Sequence, residues 1–144
     1  MKAPFMIGRL LFGGFFLYSG INHFMQRKEL SQYARGKNVP MPDIAVMASG
    51  AALIVGGASV LLGIKPKVGA AAVAGFLAGV SPVMHNFWEQ DVPQQRQMDM
   101  IQFSKNIALL GGALALMSVE EPWPISIPVA EPDESSQLRG RVAA

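Results

Sequence analysis

Hydrophobic residues along this chain occur in four long runs that polar segments separate. The runs cover about residues 5–24, 44–64, 68–87 and 100–119, and each holds at most two charged or histidine side chains. Apolar residues surround each predicted helix instead of marking one stripe, which is the pattern of a membrane span. Because about 20 apolar residues cross a bilayer as a helix, we predict an all-α membrane protein, a four-transmembrane-helix bundle of two antiparallel hairpins.

Polar segments between and after the runs predict the connections. Residues 26–43 hold apolar positions at helical spacing, which indicates a short interfacial helix that is broken at Gly36. The link of residues 65–67 is so short that the second and third spans are antiparallel neighbours. Residues 120–144 are polar and contain several prolines and glutamates, so we expect an extended or disordered arm there. The chain thus divides into a membrane domain, residues 1–119, and a polar tail.

The composition of the chain excludes several kinds of cofactor site and reaction. Of the 144 residues, 51% are hydrophobic and 15% are charged, whereas globular proteins average about 25% charged residues. The chain has no cysteine, which excludes thiolate metal sites, iron–sulfur ligation, covalent c-type haem and disulfide exchange. Any electron transfer would therefore depend on a bound cofactor or a partner. The net charge of +2, without a basic stretch interleaved with aromatic residues, gives no reason to expect nucleic-acid binding.

Polar side chains within the spans gather toward one membrane face. The first and third spans run in the same direction, so His23 and His85, which lie near their ends, share a depth. The fourth span starts from that face and brings Lys105 and Asn106 to it. Arg9 lies about 21 Å from His23 along the first helix, at about 1.5 Å per residue, and belongs to the opposite face.

Three chemistries could use this polar layer. A quinone headgroup needs hydrogen-bond donors for its two carbonyl oxygens within an apolar slot, and His85, His23 or Lys105 could supply them. Bis-histidine haem needs two imidazoles at one depth, but the spacing of the histidines has no diagnostic value, so we disfavour it. Proton transfer could use the near-neutral pKa of histidine, but buried carboxylates are lacking because Glu89 and Asp99 flank the predicted spans. We predict no metal site.

Each polar residue also has a structural interpretation. Arg9 could snorkel to lipid headgroups or bond to another helix. Lys105 and Asn106 could cap carbonyl groups of neighbouring helices, and His85 could be hydrogen-bonded within the bundle. Trp88 is expected to anchor the chain at the membrane interface.

Small residues along the spans predict close helix packing. Gly75 and Gly79 form a small-xxx-small face, and the pairs Gly56-Gly57 and Gly111-Gly112 allow backbones to approach. We expect these faces to pack helices within one bundle more often than to dock a partner.

The ordered set of these features resembles the DoxX family of small four-helix membrane proteins. The resemblance covers about residues 6–117 and is carried by Gly8–Leu11, Tyr18–Gly20 with His23-Phe24, Gly36 with Val39–Pro42, Ser49-Gly50, Gly56-Gly57 with Leu61–Gly63, His85–Trp88 and Lys105–Gly112. It implies a four-helix bundle in the bacterial inner membrane with both termini on the cytoplasmic side. Some relatives are linked to quinone-reducing sulfur oxidation or to membrane complexes that handle oxidative stress, and the best-known relatives work beside a partner subunit.

Two functional hypotheses follow. The first is a non-catalytic accessory subunit of a larger membrane complex, such as a respiratory or other electron-transfer complex. The second is a redox-associated subunit of a quinone-linked oxidoreductase, with a quinone site formed by His85, His23, Lys105 and Asn106. We favour the first, because no complete electron-transfer site is present in the sequence.

Overall fold

Five α-helices and one short 3₁₀ turn form the part of the chain that this computed structural model describes, residues 2–128. The helices are α1 (Lys2–Met25), α2 (Arg27–Gly36), α3 (Pro42–Leu62), α4 (Pro66–Met84) and α5 (Pro93–Met117), with the 3₁₀ turn Phe87–Glu89 between the last two. Within these residues, α1, α3, α4 and α5 are long and apolar enough to cross a membrane. The predicted all-α fold with four spans is confirmed.

The fourth span begins earlier than its hydrophobic run predicts. α5 starts at Pro93 instead of near residue 100, because proline is favoured in the first turn of a helix and the polar residues that follow continue the helix. At the other connection, α4 ends at Met84, and His85 leaves the helical conformation with a φ of −126°. α2 occupies the segment in which the spacing of apolar positions predicts a short helix.

Glycines bring α1 and α3 into close antiparallel contact. A Cβ atom added at Gly57 would meet the backbone of Leu17 and would lie 2.8 Å from the carbonyl oxygen of Gly13. A Cβ atom at Gly20 would lie 2.7 Å from the carbonyl oxygen of Gly50. The two backbones are therefore in direct contact, as small residues permit in membrane helices.

This contact makes Gly57 a sensitive position. We expect Gly57→Ala to force α1 and α3 apart and to lower the free energy of unfolding by about 1–3 kcal/mol, the usual cost of overpacking. Gly111→Ala is the matched control, because nothing lies within 4 Å of its Cβ position and alanine favours helix by up to about 1 kcal/mol. Unfolding in mixed micelles of SDS and a mild detergent measures both changes. Equal stability of the two variants would contradict the close contact.

The segment after α5 folds back over the end of the bundle where α1 begins, which we call the Arg9 end. Trp123 is 2% exposed and packs with Val60 and Ala70. The backbone N–H of Ile127 donates to the carbonyl oxygen of Leu62 at 3.1 Å. The first part of the tail is therefore packed, which corrects the expectation of an extended or disordered arm from residue 120. Residues 129–144 of that predicted arm lie outside the described residues.

Candidate functional site

The structure divides the predicted polar layer into two sites at the opposite end of the bundle, which we call the α2 end. His23 lines an apolar cavity, whereas His85 pairs with Asp99. Lys105 is exposed, and Asn106 is buried on α5. The two histidines share an end of the bundle, but of the four predicted site residues only His23 is among those that line the cavity.

The cavity has a volume of about 320 Å³ and lies between α2 and the adjoining parts of α1, α3 and α4. This volume lies within the range of about 300–1,000 Å³ that is typical of small-molecule sites. Apolar side chains form most of its wall, among them Leu30, Ala34, Val46, Phe76, Val80 and Met84. Nothing lies within 4 Å of the Cβ positions of Gly75 and Gly79. This pair lines the cavity instead of packing two helices together, which corrects the expectation for the small-xxx-small face.

His23 lines the cavity, and a hydrogen bond from its ring defines its tautomer. Its Nδ1 lies 2.7 Å from the carbonyl oxygen of Ser19. Because a carbonyl oxygen only accepts hydrogen bonds, Nδ1 carries the proton, and the tautomer with this proton has Nε2 as its acceptor. The ring lies edge-on to Phe76, with centroids 6.0 Å apart. The hydrogen bond and the aromatic contact together fix the orientation of the imidazole.

Ser49 is the second polar side chain of the cavity wall and was not predicted from the sequence. Its Oγ donates to the carbonyl oxygen of Val46, one turn earlier in α3, at 3.0 Å. A serine among small and apolar residues gives no sequence signal of its own. Only its position opposite α2 and α4 shows that it faces a space.

A buried carboxylate, contrary to the expectation from the sequence, lies at the same end of the bundle. Because α5 begins at Pro93, Asp99 lies inside the helix and is 2% exposed. Its Oδ2 is 3.2 Å from Lys37 Nζ, and its Oδ1 is 3.4 Å from His85 Nδ1. Gln95, one turn earlier in α5, donates to Oδ1 at 3.3 Å. The expectation that buried carboxylates are lacking is therefore wrong.

These contacts attach α2 to α4 and α5. Lys37 follows the last residue of α2 and, besides pairing with Asp99, donates to Asn86 Oδ1 at 2.9 Å. The hydroxyl of Tyr33 donates to the carbonyl oxygen of Met84 at 3.4 Å. Burial, and then the negative charge of Asp99, raise the pKa of Tyr33, so the hydroxyl keeps its proton at neutral pH. Because α2 forms one wall of the cavity, this cluster holds that wall in place.

Arg9, for which the sequence leaves open a lipid headgroup or a bond to another helix, is surrounded by protein at the Arg9 end. It is 2% exposed. Its Nη1 donates to the carbonyl oxygen of Pro124 at 2.7 Å, and its Nη2 donates to those of Leu61 and Ile125, both at 2.9 Å. Its guanidinium carbon lies 6.0 Å from the ring centroid of Trp123. Arg9 thus joins α1, α3 and the segment after α5.

Trp88 lies at the surface of the α2 end, where an interface anchor is expected. It is 52% exposed and packs edge-on against Phe87 and Phe103. Among residues 2–128, no group of three or more His, Asp or Glu side chains is arranged to hold a metal ion.

Comparison with known proteins identifies the family to which this fold belongs. Residues 5–86 match the DoxX family, a stretch that includes every residue of the cavity wall and ends before α5. Neither the curated proteins nor the solved structures gave a match. The matched stretch is more than half of the chain and covers the first three of the four spans, so the protein is a member of the DoxX family.

Proposed function

We propose that this protein is a non-catalytic subunit of an electron-transfer complex in the bacterial inner membrane, and that it binds a quinone-type molecule in the cavity at the α2 end. The cavity of about 320 Å³ is the observation that carries the proposal. A space of this volume, lined mostly by apolar side chains and containing a few placed polar groups, is the usual form of a small-molecule site.

The chemistry of the cavity wall suits a flat ring that carries oxygen atoms at its edge. Phe76 and the aliphatic residues around it can enclose a ring, while His23 and Ser49 offer polar atoms to its substituents. The cavity also lies where α2 meets the transmembrane helices. A ligand there could keep a hydrophobic tail in the bilayer and its headgroup near the membrane surface.

The accessory role follows from what the chain itself can supply. It has no cysteine, so it provides no thiolate for an iron–sulfur cluster. Electrons would pass between the bound molecule and a redox centre of a partner subunit. The contribution of this protein would be to bind the molecule and position it.

Filling the cavity tests this proposal. We expect Gly79→Leu to weaken binding of a short-chain quinone or quinol by about 10-fold or more, a loss of about 1.4 kcal/mol, because the leucine side chain occupies part of the space. Gly111→Leu is the matched control, since both glycines are helical with nothing within 4 Å of their Cβ positions. Calorimetric titration of protein in lipid nanodiscs, corrected with empty nanodiscs, measures the affinity. Binding of neither redox form to the wild type, or equal binding to wild type and Gly79→Leu, would refute the proposal.

A further inference from the structure

Both polar side chains of the cavity wall already donate hydrogen bonds to backbone carbonyl oxygens of their own helices. His23 donates from Nδ1 to the carbonyl oxygen of Ser19 at 2.7 Å, and Ser49 donates from Oγ to that of Val46 at 3.0 Å. Side chains that bond to the backbone one turn earlier in this way keep their acceptor capacity. The acceptors that remain for a ligand are Nε2 in this tautomer of His23 and the lone pairs of Ser49 Oγ.

Donors near the cavity are engaged elsewhere. The ammonium group of Lys37 contacts Asn86 and Asp99, and the hydroxyl of Tyr33 donates to the carbonyl oxygen of Met84. The remaining side chains of the wall are hydrocarbon or thioether groups. The polar side chains of the wall therefore offer a ligand hydrogen-bond acceptors and no free donor.

We propose that this cavity selects molecules that donate hydrogen bonds, so that it binds phenols and the hydroxyl form of a quinone more tightly than the carbonyl form. The inference rests on the function proposed above and adds which redox form the site prefers. A hydroxyl group can donate to Nε2 of His23 or to Oγ of Ser49. A carbonyl oxygen at the same place would face lone pairs and leave the acceptors that the ligand covers unpaired, which is unfavourable in apolar surroundings.

This selectivity identifies which redox form of a quinone the cavity is expected to bind. A site built to pair with a hydroxyl rejects an analogue that lacks it, because its own polar groups lose their partners. The selectivity therefore predicts that the protein retains the reduced member of a quinone pool. A complex that oxidises quinol is the kind of partner that such a subunit would serve.

A pair of redox-stable ligands tests the selectivity. 4-Heptylphenol and 1-fluoro-4-heptylbenzene have similar shapes, but only the phenol donates a hydrogen bond. We expect wild-type protein in nanodiscs to bind the phenol about 3- to 10-fold more tightly, the factor that corresponds to a net hydrogen bond of about 0.5–1.5 kcal/mol. His23→Phe should reduce this preference, with its affinity for the fluoro compound unchanged, because only the Ser49 acceptor remains.

Two further variants keep the test decisive. Ser49→Ala, a small change that should fold even if His23→Phe does not, should reduce the preference for the phenol. Arg96→Met, at an exposed position of α5, should keep the full preference.

Equal binding of both ligands by the wild type would overturn the selectivity while leaving a ligand-binding cavity in place. Binding of neither ligand would overturn both proposals, and a preference that both cavity variants retain would show that these two acceptors are not its source.

Discussion

Asp99→Asn should destabilise the protein by about 3–5 kcal/mol, although the two side chains have nearly the same shape. The side chains of Asp99 and Lys37 are 3% and 12% exposed, so this ion pair is largely removed from water. Asparagine would leave the ammonium group of Lys37 without a negative partner, and loss of one member of a buried ion pair costs about that much. Unfolding in mixed micelles measures the change. Amide hydrogen exchange in α2 should accelerate, because Asp99 connects the end of that helix to α5.

A double replacement shows whether the loss of stability comes from the unpaired Lys37 ammonium group or from the loss of Asp99 itself. Asp99→Leu together with Lys37→Met removes both charges and keeps similar volumes, so its stability should exceed that of Asp99→Asn. It should stay below that of the wild type, because His85 and Gln95 also lose their partner. A single Asp99→Asn variant as stable as the wild type would show that the pair contributes nothing. A double variant no more stable than Asp99→Asn would show that the unpaired ammonium group is not the cause of the loss.

The second large effect is expected from Arg9→Met. This change removes the donor to the carbonyl oxygens of Leu61, Pro124 and Ile125. Hydrogen bonds that involve a charged group contribute about 1.5–3 kcal/mol each. We expect the segment of residues 121–127 to detach from the Arg9 end, which would also expose Trp123. Limited proteolysis and hydrogen exchange should then show cleavage and fast exchange in that segment while α3 and α4 stay protected.

Arg9→Lys is a stringent companion variant. A single ammonium group cannot reproduce the planar arrangement of donors with which guanidinium reaches three carbonyl groups, so lysine should restore only part of the protection. Arg96→Met, which removes a positive charge from the surface of α5, should change nothing in the segment. Continued protection of residues 121–127 in Arg9→Met would mean that Trp123 alone holds them.

The number and type of helices could be predicted because the bilayer imposes them. The bilayer core holds no water that could bond to the backbone, so a segment that crosses it must satisfy its own backbone hydrogen bonds. A long apolar run therefore specifies a helix. The start of α5 could not be predicted in the same way. Residues 94–99 are mostly polar, and a search for apolar runs stops before them. The late predicted start of the fourth span placed Asp99 outside that span and concealed the buried carboxylate.

The depth of the candidate site residues in the membrane could be predicted from the sequence, but the groups that they contact could not. Counting residues along a helix places His23 and His85 at one end, yet it does not show which neighbour each ring faces. Gly75 and Gly79 have the spacing of a packing motif, and nothing in the sequence distinguishes a helix contact from a cavity wall. The binding partners of Arg9 in the segment after α5 lie more than a hundred residues away in the chain, beyond the reach of local patterns.

The claim that a quinone-type molecule occupies the cavity at the α2 end is tested most directly by photoaffinity labelling. A short-chain azidoquinol, irradiated under anaerobic conditions with the protein in nanodiscs, should modify peptides that contain residues 30–34 of α2 and residues 80–84 of α4. Gly79→Leu should abolish this labelling, and Gly111→Leu should not. Labelling scattered over the lipid-facing side of α5, with none in α2 or α4, would contradict the assignment of the cavity as the binding site.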